Sequence, residues 1–358
     1  MARTDRCSIP PHPLRTIVRR TATAAALLLV PALLLTACSS GSKSKSADAT
    51  TPKASASAAA SASASAVPVP AVVDTTAGLP TVGGTFGKDI TIKLPSGKPT
   101  DKFVVHTVTQ GTGATVNTSN FAIFNFTVED WTTGKSLNTA YSKTGAPAVR
   151  KPTDTMIPAL DKAVVGHKVG SRVVVVAPPG AASAQMSSSE PTGVSAKDTL
   201  VFVIDINQVV GAKDDVTGTQ VASPAGMPTV DATAGKAATF TIPDAAKKPA
   251  KLETGVLIKG TGAKVLSGQT IIVQYTGATL ADGKVFDSSW KDSGAMATII
   301  GQQQVISGWD QGLVGQTVGS RVLLSIPSSL AYGASPPANS GIAANADMVF
   351  VVDILAAA

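Results

Sequence analysis

The stretch VISGWDQGL at residues 305–313 decides how the C-terminal part of this chain folds. Ile306, Trp309 and Leu313 recur at the i, i+3, i+7 spacing of one helical face, so the stretch predicts a short amphipathic helix. Apolar, largely β-branched runs bounded by turn residues surround it, and each predicts a strand. These runs are residues 271–275, 322–326 and 349–354. The predicted fold is α+β and mostly β, with one short helix against a sheet.

The same pattern occurs twice, because the chain matches itself when it is shifted by 148 or 149 residues. For example, GTGA at residues 111–114 returns at residues 260–263, and VGSR at residues 169–172 returns at residues 318–321. Solenoid repeats are about 20–50 residues long, so a period of this length predicts two tandem domains instead. We place them at residues 79–210 and 227–358, and we interpret the Gly-, Asp-, Thr- and Ser-rich residues 211–226 as a linker.

The charge balance argues against nucleic acid as a partner. The formal net charge of +7 depends on the first 37 residues, which hold five arginines and one acidic residue. Without them the net charge is only +3, spread along the chain. Nucleic-acid binding needs a concentrated basic face that displaces counterions from phosphates.

Residues 1–37 resemble a bacterial lipoprotein signal peptide. Basic residues at 15–20 precede an apolar stretch at 24–35, and LTAC follows at residues 35–38. The apolar stretch is shorter than the roughly 20 residues that a spanning helix needs, which disfavours a transmembrane anchor. The resemblance implies that Cys38 is diacylated and becomes the mature N-terminus, and two acyl chains hold a protein stably at a membrane. We therefore expect an extracytoplasmic, lipid-anchored protein at the cell membrane.

Residues 38–78 predict a disordered tether between this anchor and the first domain. The stretch from Ser39 to Ala66 is almost wholly Ser, Ala, Lys and Thr. Such a composition buries too little apolar surface to offset the entropy of ordering. An Ala-rich helix is the alternative, and the interleaved serines disfavour it.

Four motifs occur in order in the second domain. They are VQYTG at residues 273–277, DGKVFDSS at 282–289, QVISGWDQGL at 304–313 and AYGA at 331–334. Each alone occurs by chance, but together they resemble the signature of the FKBP-type peptidyl-prolyl cis/trans isomerases. The resemblance covers residues 251–355 and implies two tandem FKBP-like domains, each a curled antiparallel sheet around one short helix.

The family resemblance also implies the site and its partners. The implied catalytic residues are Tyr275, Asp287 and Tyr332. The implied substrate-binding residues are Phe286, Val305, Ile306, Trp309, Ile342 and Phe350. By that resemblance, the Tyr332 hydroxyl donates to the carbonyl that precedes proline, the Ile306 amide donates to another substrate carbonyl, and Asp287 lies beside the rotating carbonyl, oriented by Tyr275.

The alternative for these aromatic residues is ordinary core packing, and for Asp287 a turn cap. The implied reaction only favours a twisted amide, so it requires no metal or cofactor. The implied ligands are X-Pro-containing exported polypeptides and macrolides such as rapamycin. Met296 and Thr298 stand where the family usually has aromatic side chains, which makes one pocket wall less aromatic.

The first domain keeps the scaffold pattern and lacks the polar groups of the site. At the positions of Tyr275, Phe286, Asp287, Trp309 and Tyr332 it has Phe126, Leu137, Asn138, Leu160 and about Ser183. We expect an FKBP-like fold without appreciable isomerase activity there, serving either as a spacer or as a binding module. For the whole chain we expect a folding catalyst for exported proteins, and the alternative is a non-catalytic chaperone or cell-envelope binding lipoprotein.

Overall fold

The computed structural model of the chain describes residues 68–141, 146–152, 157–182, 194–291 and 294–358. The predicted signal peptide, Cys38 and Ser183 lie outside these residues. Of the helices in the described ranges, none combines the length and the apolar character needed to cross a bilayer.

The first domain is one large sheet, a small hairpin and one short helix. Its elements are β1 (Val72–Val73), β2 (Thr81–Gly83), β3 (Thr91–Lys93), β4 (Phe103–Thr109), β5 (Phe121–Asp130), β6 (Lys135–Thr139), β7 (Ala148–Arg150), α1 (Pro158–Val164), β8 (Arg172–Ala177) and β9 (Leu200–Val210). The strand order is β1-β4-β8-β9-β5-β6, with β7 also paired to β5, and β2 pairs with β3 separately. Strand β1 runs parallel to β4, so the sheet includes a strand from the segment predicted as tether.

The second domain repeats this arrangement, but its described residues contain no strand that corresponds to β1. Its elements are β10 (Thr229–Asp231), β11 (Thr239–Thr241), β12 (Glu253–Ile258), β13 (Thr270–Thr279), β14 (Val285–Ser288), β15 (Met296–Ile299), α2 (Ser307–Leu313), β16 (Arg321–Ile326) and β17 (Met348–Ala357). The order is β12-β16-β17-β13-β14, with β15 also paired to β13. The predicted fold class is confirmed, although helix α2 begins one residue after Ile306.

Helix α2 lies close to the sheet because two glycines face strand β16. A Cβ atom on Gly308 would meet the Ile326 side chain at 2.5 Å, and one on Gly312 would meet the Leu324 side chain at 2.6 Å. Trp309 and Leu313 are buried in the same core. Any larger residue at either glycine would push the helix outward, so these glycines set the distance between helix and sheet.

Residues 211–226 connect the domains and lie against the second one. The side-chain amide of Gln274 and the backbone N–H of Ala295 both donate to the carbonyl of Ala212, each at 2.8 Å. Asp215 accepts a hydrogen bond from Arg321 Nη2 at 2.9 Å. The predicted linker is therefore attached to the second domain by several hydrogen bonds.

An apolar cluster joins the two domains. It contains Phe121, Ile123, Val149 and Val210 from the first domain and Ile272, Ala295 and Ala356 from the second. All seven side chains are at least nine-tenths buried. Their shared burial gives the pair a defined arrangement, because separating the domains would expose this apolar surface to water.

Candidate functional site

A cavity of about 470 Å³ opens between helix α2 and the curled sheet of the second domain. Eight of the nine predicted site residues line it. They are Tyr275, Phe286, Asp287, Val305, Ile306, Trp309, Tyr332 and Phe350. Ile342 does not line the cavity; it is half-buried and packs against the neighbouring core.

Aromatic rings make the floor and walls of this cavity. The Trp309 ring meets the edges of Tyr275 and Phe350, each at a centroid distance of 5.4 Å. Phe286 packs edge-on against Phe350 at 5.6 Å. Edge-to-face pairs of this kind fix ring orientation, so the cavity is largely preformed.

Gly277 makes room for two of these rings. A Cβ atom at this position would lie 2.5 Å from the Phe350 ring and 2.9 Å from the Phe286 ring. Strand β13 pairs Gly277 with Asp287 on one side and with Phe350 on the other. The glycine therefore lets the aromatic walls lie directly on the strand.

The polar groups of the cavity are few and specifically placed. The Tyr275 hydroxyl donates to Asp287 Oδ2 at 2.7 Å, which orients the carboxylate. Burial and the nearby Asp287 charge raise the pKa of Tyr332, so its phenol stays protonated at neutral pH. The Tyr332 hydroxyl makes no hydrogen bond within the described residues and can donate to a ligand.

The segment before helix α2 is fixed by Asp310. Its carboxylate accepts hydrogen bonds from the backbone N–H groups of Gly301 at 2.6 Å and Gln303 at 2.8 Å. These bonds hold the turn that presents Val305 and Ile306 to the cavity. The Ile306 amide has no backbone acceptor within the described residues, so its N–H can also donate to a ligand.

Sequence reasoning missed several contributors to this site. Met296 was identified only as a departure from the family pattern, yet its side chain lines the cavity together with Gln303 and Gln304. Asp310 lies in the quoted helical motif, but its role depends on a turn that the motif does not specify. The positive φ of Gln303, at 59°, belongs to that turn and had no signal in the sequence.

The first domain has different residues at the strand positions that correspond to the cavity of the second domain. Strand β5 places Phe126 opposite Ile204, as β13 places Tyr275 opposite Val352. Val128 pairs with Asn138 and with Phe202, so it stands where the second domain has Gly277. Val128 is 7% exposed and packs in the core with Phe202. A valine side chain thus occupies the space that the glycine leaves open in the second domain.

The curled sheet and the short helix enclose a preformed aromatic cavity with a few polar groups, which defines a class of domain with a pocket for a small apolar group. The family model for FKBP-type peptidyl-prolyl cis-trans isomerases matches residues 113–207 and 262–355, more than half of the chain. The chain therefore belongs to the family of FKBP-type peptidyl-prolyl cis-trans isomerases.

Individual relatives agree with this assignment. The chain is 40% identical over 108 residues to the FK506-binding protein of Streptomyces anulatus, and the matched region covers 30% of this chain and 87% of that protein. It is 40% identical over 108 residues to the peptidyl-prolyl cis-trans isomerase FPR2 of Saccharomyces cerevisiae, covering 29% of this chain and 79% of that protein. It is 27% identical over 222 residues to the bovine peptidyl-prolyl cis-trans isomerase FKBP10, covering 62% of this chain and 32% of that protein.

Proposed function

We propose that the second domain carries the isomerase activity, and that the chain acts on X-Pro bonds of exported polypeptides at the outer face of the cell membrane. The observation that carries the first part is the cavity itself. It combines aromatic walls, the Tyr275–Asp287 pair and a Tyr332 hydroxyl that makes no hydrogen bond to the part of the chain that the structure describes. The first domain has Phe126 and Asn138 at two of these positions and a valine at the position of Gly277.

Catalysis at this site needs only differential binding of a twisted amide. The barrier to rotation about a peptide bond is about 18–20 kcal/mol because the C–N bond has partial double-bond character. The aromatic cavity holds the proline ring and removes water from the preceding carbonyl, which favours the state without amide resonance. Tyr332 donates to the carbonyl that precedes proline, and the Ile306 amide anchors a neighbouring carbonyl. Asp287, held by Tyr275, lies beside the rotating group.

An isomerisation assay on a short X-Pro peptide tests this assignment. We expect the wild-type chain to accelerate isomerisation, and Asp287→Val to reduce kcat/KM by about tenfold or more. Asn138→Val alters the matching position of the first domain and is the control that should keep full activity. Full activity in Asp287→Val would contradict the assignment. A folded wild-type chain with no activity would instead favour a non-catalytic chaperone or binding lipoprotein.

Ligand binding gives a separate test of the same cavity. Macrolides such as rapamycin are proposed to occupy it, because its size and aromatic lining suit a large apolar ligand with a few polar groups. A thermal-shift titration should raise the melting temperature of the second domain. Absence of stabilisation at high ligand concentration would exclude macrolide binding.

The membrane part of the proposal is supported by the sequence at residues 1–38. A basic segment, a short apolar stretch and Cys38 are typical of lipoprotein processing. Cys38→Ala should release the chain from the membrane fraction and remove acyl incorporation, measured by metabolic labelling with an alkyne fatty acid. Continued labelling of the variant would contradict the anchor at Cys38.

A further inference from the structure

A second cavity, of about 440 Å³, lies where the two FKBP-like domains meet, and we call it the interdomain groove. Phe121, Val149, Arg150 and Lys151 of the first domain form one side of it. The other side belongs to the second domain and includes Tyr275 and Met296.

The interdomain groove adjoins the isomerase cavity. Tyr275 and Met296 line both spaces, so the same two side chains form a common wall. Tyr275 is also the residue that orients Asp287. The two spaces are therefore neighbours, and the residues that flank a proline in the aromatic cavity lie close to the groove.

The walls of the groove are held in place by the contacts between the domains. Phe121 and Val149 are buried against Ala295 in the cluster that joins them. Gly294 approaches the connecting segment so closely that a Cβ atom there would lie 2.1 Å from the Ala212 carbonyl oxygen. The backbone of Ala295 donates to that same carbonyl at 2.8 Å. A preformed groove costs little ordering entropy when a ligand binds.

The first domain supplies positive charge to this apolar groove. Lys151 Nζ lies 5.9 Å from the centroid of the Phe121 ring, and among the described residues Arg150 donates to the adjacent Val149 carbonyl alone, at 2.9 Å. Neither cation forms an ion pair with a residue in the described ranges. Two cations beside apolar walls are complementary to a segment that carries an acidic side chain among apolar ones.

We propose that the interdomain groove is a substrate subsite, which binds the polypeptide segment next to the X-Pro bond and favours an acidic residue there. The first domain then acts as a binding module for the isomerase of the second domain. This inference rests on the proposed function of the second domain. It gives the first domain a role that does not need a catalytic pocket of its own.

The test compares peptides that share one Leu-Pro core and differ in their flanks. One carries glutamates on the N-terminal side, one on the C-terminal side, and a matched pair carries lysines. A four-residue peptide has the core alone. With the full chain at low salt, we expect kcat/KM for at least one glutamate peptide to exceed that of its lysine partner by about five- to twentyfold. Added salt should reduce this ratio, because it screens exposed charges.

The decisive variant is the double substitution Arg150→Gln with Lys151→Gln. It should bring the ratio of kcat/KM for the glutamate peptide to kcat/KM for the lysine peptide close to one. It should leave kcat/KM for the four-residue peptide unchanged. The matched control is Lys102→Gln with Lys135→Gln, which removes two exposed cations from the same domain outside the groove and should keep the ratio. A ratio that survives the groove substitutions, or a wild-type chain without flank preference, would overturn the inference.

Failure of the proposed function has a different signature. A wild-type chain that does not isomerise even the four-residue peptide contradicts the isomerase assignment. Fluorescence anisotropy of the labelled glutamate and lysine peptides then decides the inference about the groove. The inference is supported if the wild-type chain prefers the glutamate peptide and the groove variant loses this preference. It is overturned if the wild-type chain and the groove variant bind the two peptides equally.

Discussion

The Tyr275 hydroxyl donates a hydrogen bond of 2.7 Å to Asp287 Oδ2, and this bond joins neighbouring strands β13 and β14 across the mouth of the cavity. The Tyr275 ring also meets Trp309 edge-on at 5.4 Å. The direction of the carboxylate is therefore set by the aromatic floor on which the tyrosine rests. The first domain lacks both ends of this link, because Phe126 has no hydroxyl and Asn138 carries no charge.

Removing this hydroxyl should disturb the site without unfolding it. In Tyr275→Phe the ring still packs against Trp309, while Asp287 loses the donor that orients it. We expect kcat/KM to fall about three- to tenfold and the free energy of unfolding to change by about 1 kcal/mol or less. Peptide isomerisation rates and urea unfolding measure the two effects. Unchanged kcat/KM would show that the orientation of Asp287 is irrelevant to the reaction.

Tyr332 should act as a protonated donor throughout the neutral range. Burial and the Asp287 charge raise the pKa of its phenol above the ordinary value of 10, so the folded enzyme keeps the proton as the pH rises. We expect kcat/KM to show no titration of this group between about pH 6 and 9, and Tyr332→Phe to lower kcat/KM by about five- to tenfold at every pH in that range. A pH–rate profile of the two chains checks this. A loss of activity near pH 8 that is absent from the variant would contradict a protonated donor.

The sequence predicted the scaffold well because duplication and four ordered motifs constrain it strongly. The β-branched runs indicate strands, and the spacing of Ile306, Trp309 and Leu313 indicates the helix. Both signals depend only on residues that are close together in the sequence. The interdomain groove could not be predicted, since Arg150 and Met296 meet only through the packing of two domains. The role of Gly277 was also missed, because it depends on how the folded sheet brings the ring of Phe286 together with that of Phe350, which lies far along the chain.

Gly277 should be required for an open cavity. Gly277→Val introduces the residue that the first domain has at this position, and its side chain collides with the rings of Phe286 and Phe350. We expect kcat/KM to fall tenfold or more, and overpacking to lower the free energy of unfolding by about 1–3 kcal/mol.

The control for Gly277→Val is Val128→Ala in the first domain. It creates space at the matching position, so it should cost stability but leave isomerisation unchanged. Macrolide binding measured by thermal shift gives a second readout for both variants. Gly277→Val with full activity and full ligand stabilisation would show that the rings can move aside, and the valine of the first domain would then not explain a closed pocket.

The buried ion pairs of the second domain should make its stability depend on pH. Arg321 binds both Asp215 and Asp353, and burial together with the neighbouring Asp215 raises the pKa of Asp353 to about 7. The unfolded chain releases this proton near the ordinary value of 3.8, so between these values the folded state binds the extra proton. The stabilising contribution of this proton is complete below the pKa of Asp353 in the unfolded chain. It is lost as the pH rises through the pKa of Asp353 in the folded chain. We expect the free energy of unfolding to fall by on the order of 1–2 kcal/mol from pH 5.5 to pH 8.

Substitutions in the connecting segment separate this effect from other titrations. Asp215→Asn removes the charge that helps raise the pKa of Asp353, so stability should depend less steeply on pH even though the variant loses a contact with Arg321. Asp214→Asn is the matched control, because this neighbour accepts from the Gly211 amide at 2.7 Å and does not contact Arg321. Urea unfolding at several pH values, followed by tryptophan fluorescence, measures the slopes. Equally steep slopes in all three chains would mean that burial alone raises the pKa of Asp353, and a wild-type stability that does not change with pH would mean that Asp353 stays ionised beside Arg321.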